Sequence, residues 1–160
     1  MTRVAFILTI ALVTTGCSLL TGSKSDEEIE LSEARDRWRS LGLETYSIEK
    51  SRSCECKPPY TYTIHVTDGE VKKVEYDLQN TLDSKPDTSP QDYQSLLKST
   101  RSVEQLFRML DHYVNSAYEY EVTFHPEYGY PTDISIDPVM KMKDEEIYRT
   151  LYNLQFNDQN

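Results

Sequence analysis

Glycine is scarce in this chain of 160 residues, five in all, and no Gly-rich phosphate loop, Gly-x-Ser-x-Gly elbow or His-Glu-x-x-His stretch occurs. Positive charge is in deficit as well. There are 17 Lys and Arg against 27 Asp and Glu, a formal net charge of −10, and no basic cluster interrupts the surplus. Recognition of nucleic acid through its phosphates is therefore not expected. His65, His112 and His125 lack the paired spacing of metal ligands, and no calcium-loop pattern occurs, so neither a metal nor another cofactor is expected. With no Ser-His-Asp ordering either, the sequence nominates no catalytic residue, and a protein that is not an enzyme is the expectation. Long hydrophobic runs are missing too: Val4–Val13 is about half of the roughly 20 residues that a bilayer-spanning helix needs. What is plentiful is tyrosine, 12 residues beside four Phe and one Trp, rings that keep a polar tip. An apolar fraction of 38% over this length supports one modest domain.

The N-terminus has the outline of a secretion signal: Arg3, the apolar run, then small residues before Cys17. Val13-Thr14-Thr15-Gly16-Cys17 resembles the bacterial lipobox, in which the signal is cut just before a cysteine acylated on sulfur. The resemblance implies that residues 1–16 are removed and that Cys17 carries lipid; an ordinary cleaved signal with an incidental cysteine is the alternative. One acyl chain, at about 0.8 kcal/mol per buried methylene, holds a bilayer weakly, whereas two or three hold it nearly permanently. Ser18 replaces the Asp that commonly marks inner-membrane retention, which favours the periplasmic side of the outer membrane in a two-membrane bacterium. Residues 17–30 are polar and acidic without periodicity, and are expected to be a lipidated flexible tether.

Structure is expected over 31–156, with a short tail at 157–160. Ser32 is the expected N-cap of a helix with Ala34, Trp38 and Leu41 on one face and Gly42 beyond its end. Tyr46 and Ile48, then Tyr60, Tyr62, Ile64 and Val66, alternate with polar residues as strands do. Asp68-Gly69 is a hairpin signal, and the return strand over 70–78 has Val71 out of phase with Val74 and Tyr76, which predicts a bulge near Lys72-Lys73. Residues 79–101 read as a connecting loop with a helical turn or two in QDYQSLL. Ser102 and Gln105 form a capping box ahead of a helical stripe of Val103, Leu106, Phe107, Leu110 and Val114. Tyr120, Val122 and Phe124, and then Ile134 and Ile136, mark two more strands. EEIYRTLYNLQF, residues 145–156, fits either period and is taken as a strand. The expected class is α+β: two helix-plus-three-strand units forming an antiparallel sheet with the helices packed on one face, an order that suggests a weak internal duplication.

Trp38, Tyr46, Cys54-x-Cys56, Asp68-Gly69, Val103 to Phe107, Tyr128-Gly129-Tyr130-Pro131 and Asp144-Glu145-Glu146 together resemble a family of small bacterial lipoproteins known only as a domain of unknown function. The resemblance covers nearly all of 31–156 and implies an envelope address and a final strand, with no catalytic residues to carry over.

With Cys17 consumed by lipid, Cys54 and Cys56 remain, and an exported compartment favours their oxidation. On an extended strand their Cα atoms are roughly 6.6 Å apart, near the upper limit for a disulfide, and irregularity at Pro58-Pro59, read as a strand end, would ease closure. A local Cys54–Cys56 disulfide is the expectation; two reduced thiols, or a redox-active or metal-handling pair, are the alternatives. HPEYGYP, residues 125–131, is expected to be a hairpin loop that exposes Tyr128 and Tyr130 through Gly129, with Pro131 closing it, a candidate contact for a protein or glycan; a loop folded back onto the sheet is the alternative. These observations lead to the expectation of a membrane-anchored envelope module that binds or assembles without catalysis, the alternative being thiol-disulfide or metal handling through Cys54 and Cys56.

Overall fold

The structure, a computed structural model, describes residues 24–54, 57–76, 90–140 and 146–156. Among them the chain forms α1 (Asp26–Ser40), β1 (Thr45–Cys54), β2 (Lys57–Thr67), β3 (Glu70–Tyr76), α2 (Pro90–Ser99), α3 (Val103–Tyr113), β4 (Glu119–Phe124), β5 (Pro131–Asp137) and β6 (Ile147–Phe156). The α+β class and the helix–strand order follow the sequence closely, and the final segment is a strand. No helix among the described residues is long and apolar enough to cross a membrane.

Helix α1 is capped by Ser25, seven residues before the expected Ser32. The Ser25 hydroxyl accepts from Glu28 N–H at 3.2 Å, and Glu28 Oε2 accepts from Ser25 N–H at 3.0 Å. This capping box satisfies two of the otherwise unpaired donors at the helix start, and Asp26, Glu27 and Glu28 complement the positive end of its dipole. Residues 26–30, assigned above to the tether, are therefore helical. Leu31, Ala34 and Trp38 form the buried stripe, and Gly42, at φ +61°, ends the helix as expected. Helix α3 has the predicted Ser102–Gln105 capping box. The segment read as a loop over 79–101 contains a ten-residue helix, α2. Pro90 suits a first helical position, and Tyr93, Leu96 and Leu97 pack on the core at i, i+3 and i+4 spacing.

The six strands form one sheet in the order β3-β2-β1-β6-β5-β4, and every neighbouring pair is antiparallel. Asp68 (φ +53°) and Gly69 (φ +71°) make the expected two-residue hairpin turn with both central residues left-handed. The β3 bulge is present: His65 pairs with Lys73 and Val66 with Val71, leaving Lys72 extra. Pro58-Pro59 does not end a strand. Arg52 pairs with Tyr60 and Cys54 with Lys57, so the two prolines sit opposite Ser53 in a bulge inside β2, where their missing N–H groups interrupt no ladder.

All three helices lie on one face of the sheet, over a core that includes Tyr46, Ile48, Ile64, Val66, Leu106, Leu110, Ile134, Ile136 and Leu151. Mapping β1-β2-β3 onto β4-β5-β6 preserves the spatial order and reverses strand direction. A rotation that does this turns the sheet over and would carry α3 to the face opposite α1. Since α1 and α3 share a face, with Trp38 and Tyr46 both reaching Glu104, the two halves are not copies related by rotation.

Candidate functional site

The loop nominated by sequence is packed away. Tyr130 is only 4% exposed and Pro131 is buried, which corrects the expectation that the tyrosine rings stand clear. Gly129 adopts φ +79°, and a Cβ placed there would lie 2.2 Å from Ala34 O, so the loop backbone rests directly on α1. Tyr130 meets Trp38 edge-on at 6.3 Å, and His125 stacks between Tyr128 at 4.7 Å and Tyr130 at 5.0 Å. His125 Nδ1 accepts from the N–H groups of Glu127 and Tyr128, which holds the loop shut. Tyr128 is half-buried, edge-on to Phe156. Glycine was read as freeing this loop; its actual service is close approach.

Cys54 closes β1, while Cys56 and Cys17 lie outside the described residues, so the Cys54–Cys56 pairing and the lipid attachment fall there too. Among the described residues no group of three or more His, Cys, Asp or Glu could hold a metal ion.

A polar cluster absent from the sequence reading joins α1, α3 and β1. Glu104, in the first turn of α3, accepts from Trp38 Nε1 at 3.0 Å and from the Tyr46 hydroxyl at 3.1 Å, and that hydroxyl in turn accepts from Val103 N–H at 2.9 Å. Burial, then the Glu104 charge, pushes the Tyr46 phenol above its usual range. Trp38 also meets Tyr46 edge-on at 5.1 Å, so one indole ties the loop at 125–131 to the helix pair. Above this cluster α1 and α3 leave a groove lined by Arg35, Trp38, Arg39, Phe107, Arg108 and Asp111, besides Glu104. Arg35 pairs with Asp111 and lies over the Phe107 ring.

Lys50 is a second residue that no motif singles out. It shares the inward phase of Tyr46 and Ile48 on β1, is 1% exposed, and donates to the Arg101 carbonyl at 3.1 Å. Burial, with Arg149 and Arg101 adding like charge, pushes its ammonium down to about 7. Its seclusion keeps it from meeting a substrate, so its low proton affinity describes a folding liability.

The face without helices is polar. By alternation it presents Glu49, Thr61, Thr63 and His65 on β1 and β2, and Glu119, Glu121, Thr123, Asp133 and Ser135 on β4 and β5. Tyr148, Arg149 and Thr150 of β6 border a hollow of about 270 Å³ there, with Glu121, Thr123, Asp133, Ile134 and Ser135. In this half Thr123 bonds Thr132 at 2.8 Å and Asp133 at 3.2 Å, and Tyr148 is about half exposed.

These features define a small α+β domain with an antiparallel sheet whose described helices all lie on one face, and an interhelical groove. The chain belongs to a family of unknown function, DUF6174, whose profile matches residues 30–156. No curated protein matches the chain, and no solved structure does.

Proposed function

We propose that the protein is a lipid-anchored module of the bacterial envelope, held by Cys17, that binds another protein through the uncovered face of its sheet. The observation that carries this reading is the open face itself. A six-stranded sheet carries every described helix on one side, and among the described residues nothing covers the other, where Glu119, Glu121, Asp133 and Asp137 gather on β4 and β5. A surface of that sign, with threonine hydroxyls and the Tyr148 ring as rigid contact points, fits a partner carrying a basic patch. The lipobox-like stretch ending in Cys17 supports the anchor, and the few residues between Cys17 and α1 would keep the domain near the membrane.

Two experiments test the two halves of the proposal. Metabolic labelling with an alkyne fatty acid should label the wild type and spare Cys17→Ser; an unlabelled wild type rejects the anchor. Crosslinking in cells followed by purification should recover a specific basic protein, and Glu121→Lys/Asp133→Lys should lose it while folding normally. Capture that is indifferent to this charge reversal, or capture of glycan alone, rejects the protein-binding face.

A further inference from the structure

On a chain of net charge −10 the groove between α1 and α3 is cationic, and we infer that it binds a small oxyanion group, carboxylate or phosphate. Three guanidiniums line its roughly 230 Å³: Arg35 and Arg39, one turn apart on α1, and Arg108 on α3. The two carboxylates present do not neutralise them all. Glu104 is engaged by Trp38 and Tyr46, and Asp111 by Arg35. Among the described residues Arg39 and Arg108 have no ion-pair partner, and both are exposed at the mouth. Arg35 Nε is buried and has no hydrogen-bond partner among the described residues.

Like-charged guanidiniums in one hollow repel. An oxyanion seated between them relieves that repulsion. Its oxygens match the fork of donors that each guanidinium presents, and Arg35 is already oriented by Asp111 on one side and the Phe107 ring, 5.6 Å below its Cζ, on the other. The hollow is smaller than an ordinary drug-sized pocket, and the negative charge of the whole chain repels polyanions at long range, so the ligand is a single small acid or one acidic group on a larger molecule. The groove lies on the helix side, opposite the open sheet face, so this inference stands independently of the anchor and of the proposed protein contact.

Trp38 is the one tryptophan of the chain, and its indole lines the groove, so its emission reports occupancy directly. The full chain is titrated with inorganic phosphate and, separately, with succinate, each against sodium chloride of matched ionic strength. A saturable change of Trp38 emission with either anion is expected, and the one that acts identifies the chemistry. In Arg39→Gln/Arg108→Gln the dissociation constant should rise at least about tenfold with thermal stability unchanged, while Lys98→Gln, which removes an exposed charge from α2, should leave it unaltered. Emission that follows ionic strength alone overturns the inference, as does saturable binding that the double variant leaves intact.

Discussion

Glu49 and Lys50 are neighbours on β1 that point to opposite faces of the sheet, and they meet opposite treatment. Glu49 accepts from the Asn153 side chain at 3.2 Å on the open face, where water serves whatever protein does not. Lys50 is sealed under the link between α2 and α3 with one backbone carbonyl for company. On the covered face, position fixes consequence: each side chain there has neighbours that cannot move, whereas on the open face a charge can be relocated at little cost to folding and at large cost to any partner that reads it.

The sharpest way to break this contrast is Gly129→Ala. The new methyl would collide with the Ala34 carbonyl in a left-handed backbone position, and a loss of about 3 kcal/mol or more is expected in urea unfolding. Gly69→Ala, in a turn with open space around it, should cost only about 1 kcal/mol by the same measurement. Next in size is Lys50→Met, which should stabilise the fold at pH 7 by roughly 2–4 kcal/mol. The native lysine loses its proton near pH 7 when folded and near 10.5 when unfolded, so the unfolded chain holds more protons between those values and wild-type stability rises with pH across that window. Lys50→Met should flatten that rise. Tyr46, Tyr120 and Tyr130 act in reverse, because burial raises each phenol and stability falls as the unfolded tyrosines ionise above pH about 10. Tyr46→Phe removes one bond to Glu104 and the acceptor for Val103 N–H, and should cost about 1–3 kcal/mol with a shift in Trp38 emission. Smallest is Thr123→Ala on the open face, within about 0.5 kcal/mol by thermal melting.

Much of the covered face could be read in advance because its signals are local. Alternation from Tyr62 to Val66, the Asp68-Gly69 turn, the Lys72 bulge and the Ser102 capping box each span a few residues. The start of α1 was also written locally, as Ser25-x-x-Glu28, but an acidic stretch whose apolar stripe is only Leu31, Ala34 and Trp38 resembles a tether by composition. Helix α2 was masked in the same way by the prolines and aspartates before it. Lys50 stood in the inward phase all along, and its charge argued for solvent. The arginine-lined groove and the contact of Gly129 with α1 were not legible at all, since Arg35 with Arg108, and Ala34 with Gly129, are brought together only by the packing of distant elements.

The strand order carries a consequence for how the chain matures. β1, the first strand, has β6, the last, as one of its partners at the middle of the sheet, with Ser51 opposite Thr150. A growing polypeptide therefore lacks one half of its central ladder until Ile147–Phe156 has left the ribosome. Closure across so wide a sequence interval is slow. Until then the sheet cannot close at its centre, and collapse of the core over it is deferred to the moment when β1 and β6 first meet.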